Sequence, residues 1–232
     1  MKKIFLPLFI IFTAFSLVTM SCKKDKKDDD KKVEDNGLTQ QINQLIPDSI
    51  LTKMVTLGMV INRGETPPSL AGSFFATPFI LKASNVPNDF GIGYAFADYN
   101  VLFYEQNNDN LTIKVDYFNG PESGSGLGGF IVGTGNNFTV FAEVNSTYAG
   151  YSAKMVHVIS GTLTATGIQN LYFANFMLDN NDNPGGVWIG EGTGRIIYDS
   201  DGQSPRIDTE KSGIIEAGNI KSSSGVLIKK NL

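Results

Sequence analysis

The sequence predicts an all-β protein whose antiparallel strands form an up-and-down barrel of about eight strands, preceded by one short helix. Apolar and polar residues alternate with a period of two after Gly72, which is typical of strands with one buried face. Clusters of Asn, Asp and Gly interrupt this alternation about every ten residues, as in consecutive hairpins. Closing such a meander removes its exposed edges, so a barrel is favoured over the second choice, a β-sandwich.

Residues 1–21 have the order of a secretory signal peptide. Lys2 and Lys3 precede an apolar run over residues 4–18, which is shorter than the ~20 residues of a membrane-spanning helix. Cys22, the single cysteine, follows directly after Ser21. This junction resembles the lipobox of bacterial lipoproteins, in which a small residue precedes the cysteine. The resemblance implies cleavage before Cys22 and lipidation of its sulfur and its new amino group.

A charged tether is predicted for residues 22–36. Segment 23–36 carries six lysines and six acids around one apolar residue, Val33, and such a composition favours an extended, solvated chain. The charged start resembles that of Bacteroidota lipoproteins, and the segment INRGETPPSLAGSF resembles one that precedes the β-rich domain in uncharacterised members. The resemblance implies a protein lipid-anchored in the outer membrane, with the membrane as its partner, facing either the periplasm or the cell surface.

Residues 37–71 are predicted to contain one short helix and a connector. Ile50, Met54 and Leu57 recur at three- and four-residue spacing over residues 48–57, after a proline that suits a first turn. Gly58 is suited to end this helix. The prolines and glycines that follow favour an extended connector. We expect the three apolar side chains to pack against the β-domain.

The antiparallel β-domain is predicted to span residues 72–232. Its predicted strands are 72–83, 94–106, 110–118, 128–134, 137–146, 151–166, 168–178 and 187–198. Between them lie Asn, Asp and Gly residues that favour turns. The tail 203–232 contains short apolar pieces that suit one or two edge strands.

The order of a short helix, a Pro/Gly connector and a β-meander resembles that of a lipocalin or calycin barrel. The segment Gly72-Ser73-Phe74 stands where that family has Gly-x-Trp. The resemblance implies a barrel interior that holds a small apolar ligand.

The composition argues against several classes of function. The formal net charge is -4 and Lys/Arg clusters are confined to the two ends, so nucleic acid is not an expected partner. His157 is the single histidine, and we interpret it as a core or rim residue because a catalytic triad or zinc site needs companions. With Cys22 lipidated, the chain has no free thiol for catalysis. We expect neither a metal nor a cofactor.

Two loops carry weak signatures of ion or phosphate binding. Asp179, Asn181 and Asn183 have the alternate spacing of a calcium loop, but Pro and Gly stand where that loop needs Gly and Glu. We interpret this segment as a hairpin loop and 199–202 as an Asp-Gly turn. The glycine-rich run 124–130 opens no helix, so we interpret it as a flexible loop at the barrel mouth.

Carboxylates and aromatic residues supply the remaining candidates. Asp116, Glu143 and Glu191 are the acids available to a hydrolase, and Arg195 suits a cross-strand charge pair with Glu191. Strand 171–178 is apolar on both faces, so one face is available for a cavity or a partner. The aromatic residues include Phe103, Tyr104, Tyr117, Phe118, Phe138, Phe141, Tyr172, Phe173, Phe176 and Trp188.

Three hypotheses of function follow for a membrane-anchored, extracytoplasmic lipoprotein. The first is a barrel that binds a small apolar ligand, indicated by the strands that are apolar on both faces. The second is a cell-surface module that binds a glycan or a protein. The third is a hydrolase with paired carboxylates, and it is the least favoured because the sequence brings no two acids together.

Overall fold

The computed structural model describes residues 32–120 and 122–207. Cys22, the predicted signal peptide and most of the predicted tether lie outside these ranges, as does the tail beyond residue 207. Within them, no helix is both long enough and apolar enough to cross a membrane.

The described residues contain two short helices and eleven strands. The helices are α1 (Gln40–Leu45) and α2 (Asp48–Thr56). The strands are β1 (Glu65–Thr66), β2 (Gly72–Ala76), β3 (Phe79–Ser84), β4 (Tyr99–Asn107), β5 (Thr112–Asn119), β6 (Glu122–Thr134), β7 (Asn137–Tyr148), β8 (Tyr151–Leu163), β9 (Gly167–Asp179), β10 (Gly194–Asp199) and β11 (Gln203–Ile207).

Eight strands form a closed antiparallel ring, which confirms the predicted all-β class and the barrel. The ring runs through β2, β4, β5, β6, β7, β8, β9 and β11, and β11 closes it by pairing with both β9 and β2. Strands β10 and β3 extend the wall beside β9. Because sequential strands pair from β4 to β10, the topology is a meander.

Side chains from alternate positions of the strands face the barrel interior and form a buried cluster. Val101 and Phe103 on β4, and Val115 and Tyr117 on β5, belong to one buried cluster with Phe173 on β9. Apart from Asn100, which is buried, their neighbours in sequence on β4 and β5 are only half-buried, as the period of two predicts for an outward face.

Helices α1 and α2 cover one outer wall of the barrel, and Ile42 of α1 is buried between them and this wall. Ile50 and Met54 belong to a second buried cluster with Ala174 and Phe176 on β9, and Leu57 packs against it. We call this group the helix-covered cluster. The predicted packing of the helix is therefore confirmed. These contacts explain why strand 171–178 is apolar on both faces: its outer face packs against the helices.

Several predicted boundaries differ from the structure. The sequence predicts one helix and the structure has two. The additional helix, α1, has only two clearly apolar residues in six, so its sequence gives little periodic signal. The predicted strand 72–83 is divided into β2 and β3 around Pro78, which cannot donate to a strand ladder. Strand β10 begins at Gly194 rather than at 187, because a loop over 180–193 precedes it.

The glycine-rich run 124–130 is part of strand β6 and not a loop. A Cβ atom at Gly129 would lie 2.9 Å from the carbonyl oxygen of Phe141, and one at Gly124 would lie 2.5 Å from the Tyr117 ring. These glycines therefore allow β6 to approach its neighbours closely, which is a known use of glycine within strands.

The last five residues of the predicted tether contact the folded unit. Lys32 donates a hydrogen bond to the backbone oxygen of Asn108, 3.0 Å away, and Val33 packs against the helix-covered cluster. Arg63 Nη1 donates to the backbone oxygen of Asn36, 2.6 Å away. The compact unit begins at Lys32.

Candidate functional site

The outer wall formed by β2, β4 and β5 contributes no residue to the helix-covered cluster. Outward-facing residues of these strands lie opposite one another in rows. Phe75, Asn100 and Phe118 form one row, and the next is Ser73, Leu102 and Asp116. Apolar rings and polar groups are therefore neighbours on this wall.

A pocket of about 160 Å3 opens in this wall. Asn100, Leu102, Asp116, Phe118 and Ser73 line it with outward-facing positions. Its remaining lining comes from Val101 and Tyr117, whose side chains belong to the interior cluster. The pocket thus lies on the outside of the barrel, where a ligand can reach it from solvent.

Two polar atoms at the pocket are buried without a partner. The Ser73 hydroxyl and Asn100 Oδ1 have no hydrogen-bond partner in the described part of the chain, although the two residues are only 4% and 9% exposed. A buried polar atom without a partner costs free energy. Because both atoms are covered from solvent, a ligand reaches them only when the side chains around them shift, and hydrogen bonds to both atoms would then recover that cost.

Asp116 supplies a carboxylate at the same pocket. Its Oδ1 atom accepts hydrogen bonds from the Tyr104 hydroxyl at 3.0 Å and from the Gly126 backbone N–H at 2.6 Å. Because a carboxylate has about four acceptor positions, Asp116 can accept further hydrogen bonds from a ligand. Lys114 on the same strand is bound to Glu105, with Nζ to Oε2 at 2.6 Å.

The pocket favours a ligand that is rich in hydrogen-bond donors and has an apolar face. Asn100 Oδ1 and Asp116 accept hydrogen bonds, and the Ser73 hydroxyl both donates and accepts. Leu102 and Phe118 supply the apolar lining. The carboxylate opposes a negatively charged ligand.

His157 lies in the barrel interior, as the sequence predicted for a core residue. Its ring centroid is 4.9 Å from that of Tyr117 and 4.8 Å from that of Phe173. Burial lowers the pKa of His157 to about 3, so the ring is neutral at physiological pH. Its Nε2 atom and the Tyr99 hydroxyl have no hydrogen-bond partner among the described residues.

Arg195 also faces the interior, and its ion-pair partner is Asp89 rather than Glu191. Arg195 Nη2 lies 2.7 Å from Asp89 Oδ1, and Nε lies 2.9 Å from Oδ2. The predicted cross-strand pair with Glu191 is therefore wrong. Glu191 Oε1 instead accepts a hydrogen bond from the backbone N–H of Asn180, at 3.3 Å.

The other two acids considered for a hydrolase, Glu143 on β7 and Asp116 on β5, have separate partners. Glu143 forms an ion pair with Lys154, with Oε1 to Nζ at 3.4 Å. Asp116 accepts hydrogen bonds from the Tyr104 hydroxyl and the Gly126 backbone N–H. Each of the three acids is therefore held by its own neighbours.

The loop over 180–193 uses its polar side chains to fix its own turn. Asp179 Oδ1 accepts a hydrogen bond from the Asn181 backbone N–H at 2.8 Å, and Asn183 Oδ1 accepts one from the Trp188 N–H at 3.1 Å. Positive φ angles at Asn181 and Asn183 fit the predicted turn. Within the described ranges, no three His, Cys, Asp or Glu residues form a group that could hold a metal.

Sequence reasoning singled out Asp116 and Phe118 but missed Ser73, Asn100 and Leu102 as site residues. The available signal was a pair of polar residues at outward positions beside aromatic ones, in strands 72–83 and 94–106. Only the strand register shows that they face one pocket.

The chain matches no protein-family model, no curated protein and no solved structure.

Proposed function

We propose that this protein is a membrane-anchored, extracytoplasmic binding module that holds one sugar unit of a neutral glycan in the pocket of the β2–β4–β5 wall. The observation that carries this proposal is the pair of buried, unpartnered polar atoms at that pocket, Ser73 Oγ and Asn100 Oδ1. A site with apolar lining and a few convergent polar groups is the usual form of a small-ligand site.

A sugar ring has the chemistry that the pocket requires. Its edge carries several hydroxyl donors for Asn100 Oδ1 and Asp116, and its C–H face is apolar enough to pack on Phe118. A neutral sugar also carries no charge that the carboxylate would repel. At about 160 Å3 the pocket is smaller than the ~300–1,000 Å3 of drug-sized ligand sites, so it suits one compact unit.

The predicted anchor supports a role in binding outside the cytoplasm. The signal peptide would direct export, and after its cleavage the lipid at Cys22 would hold the folded unit at the outer membrane by a charged tether. In that position the solvent-facing wall is accessible to glycans of the periplasm or the cell surface.

A microarray that carries neutral and acidic oligosaccharides tests this proposal. We expect the protein to bind neutral glycans, and titration calorimetry to show about a fivefold or larger loss of affinity in Asn100→Ala, since one hydrogen bond is removed. The matched control is Asn145→Ala on β7, because Asn145 is an exposed asparagine that does not line the pocket. Binding only to acidic glycans or to a lysine-rich peptide would contradict the proposal.

A second candidate is a small apolar ligand inside the barrel, the function that the calycin-like order of elements implies. It is favoured by the unpartnered Tyr99 hydroxyl and His157 Nε2, which lie in one aromatic cluster with Phe173. An apolar ligand with one polar end would satisfy these atoms.

The single tryptophan, Trp188, reports on this interior because it is 2% exposed and belongs to the same buried cluster. If the barrel holds an apolar ligand, the neutral dye N-phenyl-1-naphthylamine should quench Trp188 fluorescence by energy transfer, and His157→Phe should weaken the effect. Dye titration without quenching, or quenching that His157→Phe leaves unchanged, would count against this candidate.

A further inference from the structure

We propose that Tyr104 forms a second sugar-contact site beside the pocket, so that the wall binds at least two consecutive units of a glycan chain. This inference rests on the proposed function, because the pocket supplies the first site.

The direction of the Tyr104 side chain places its ring along the wall. In the strand register Tyr104 lies opposite Lys114. Its hydroxyl nevertheless donates a hydrogen bond to Asp116, which is two residues farther along β5. The side chain therefore leans from its own row toward the row of the pocket.

Asp116 connects the two sites. Its carboxylate lines the pocket and also accepts the hydrogen bond from Tyr104, so the phenol ends at the pocket rim. The Gly126 backbone N–H binds the same carboxylate oxygen and holds it in place. Tyr104 is consequently fixed before any ligand arrives, which lowers the entropic cost of binding.

The ring remains available for contact. Tyr104 is half-buried, and Lys114 Nζ lies 5.9 Å from its centroid while bound to Glu105. Along β4, Leu102 of the pocket and Tyr104 are two residues apart, which corresponds to about 6.8 Å. That separation is comparable with the length of one sugar unit, so adjacent units of a chain can contact the pocket and the ring.

Titration calorimetry with short and long forms of the same sugar tests this inference. The probes are the methyl glycosides of glucose, galactose, mannose and N-acetylglucosamine, and the linear tetrasaccharide of each. We expect the tetrasaccharide of the sugar that binds to have about tenfold higher affinity than its methyl glycoside. Tyr104→Ala should abolish this difference, while its methyl glycoside affinity should match that of Tyr104→Phe, which also lacks the hydroxyl that binds Asp116.

Two further variants separate a binding role from a structural one. Tyr104→Phe keeps the ring and should retain most of the tetrasaccharide gain. Tyr198→Ala removes a half-buried tyrosine on the outer face of β10 and should change neither affinity. Thermal unfolding of each variant establishes that it is folded.

The outcomes distinguish this inference from the proposal on which it rests. A methyl glycoside that binds with a tetrasaccharide no tighter would overturn the second site alone. Equal weakening of both ligands in Tyr104→Ala would also overturn it, because Tyr104 would then act by positioning Asp116. If wild type binds none of the eight probes, both proposals fail.

Discussion

Replacing Arg195 with leucine is expected to lower the free energy of unfolding by about 3–5 kcal/mol. The Arg195 side chain is 0% exposed, and the carboxylate of Asp89 that it binds is 4% exposed. Leucine would leave that carboxylate buried without a cation, and an uncompensated buried charge costs more than the lost attraction alone.

The ion pair also joins two parts of the chain that are far apart in sequence. Asp89 lies in the connection between β3 and β4, and Arg195 lies on β10, 106 residues away. The guanidinium is 5.4 Å from the Phe90 ring centroid and 6.0 Å from that of Phe96. Arg195→Leu should therefore loosen this connection as well as destabilise the barrel.

The expected loss depends on pH. Burial by itself raises the pKa of Asp89, but the hydrogen bonds from Arg195 and Ser84 and the Arg195 charge lower it below its ordinary value of 3.8. The ionised carboxylate therefore stabilises the fold at pH values above 3.8, and that contribution is lost as the pH falls through the lowered pKa. The difference between wild type and Arg195→Leu should be largest near neutral pH and should shrink at acidic pH.

Urea unfolding at pH 7 and at pH 3 measures this effect. A matched control is Lys114→Leu, which breaks the exposed pair with Glu105 and should leave the unfolding midpoint nearly unchanged, because solvent screens this pair. The double variant Arg195→Leu with Asp89→Leu should recover most of the lost stability, because it removes both charges. An Arg195→Leu protein with the wild-type unfolding midpoint would contradict the assigned role.

The parts of the fold that depend on local pattern could be predicted from the sequence. Alternation in 111–117 places Ile113 and Val115 inside, and the structure agrees. The spacing of Ile50 and Met54 predicted α2 and its buried face. These features follow from one stretch of chain at a time, because burial of one face imposes the period.

The parts that depend on distant contacts could not be predicted. The sequence offers Glu191, four residues from Arg195, for a charge pair. The ion-pair partner in the structure is Asp89, which is more than a hundred residues away. The composition of the glycine-rich run 124–130 favours a loop. In the structure, close packing against Tyr117 and Phe141 requires glycine within β6. In both cases tertiary contacts decide between local alternatives.

The apolar character of the strands has a different cause on each side of the barrel. The β9 wall is covered by α1 and α2, where Phe176 meets Met54. The wall of β2, β4 and β5 has no residue in that cluster, and it carries Phe75 and Phe118 beside polar groups. Among residues 32–120 and 122–207 no helix covers this aromatic and polar wall, and such a surface is the kind that a partner would use.

Replacing Cys22 with alanine is expected to transfer the protein completely from the detergent phase to the aqueous phase. The lipoprotein-like signal implies that Cys22 carries the acyl chains, which contribute about 0.8 kcal/mol of membrane affinity per buried CH2. Alanine has no sulfur to acylate. The variant also carries Thr19→Ala and Ser21→Ala, which give Ala-x-Ala at 19–21, the cleavage site of an ordinary secretory signal, so that the apolar run 4–18 is still removed. The fold should be unaffected, because the compact unit begins at Lys32, ten residues after the anchor.

Phase separation in a cloud-point detergent and thermal unfolding measure the two halves of this prediction. Full-length wild type should enter the detergent phase, and Cys22→Ala should stay in the aqueous phase with the same melting temperature. A chain that begins at Lys32 is the control for the tether, and it must keep Val33 because that side chain packs against the helix-covered cluster. Detergent partition of Cys22→Ala equal to wild type would refute the anchor, and failure of the Lys32 chain to fold would show that earlier residues stabilise the barrel.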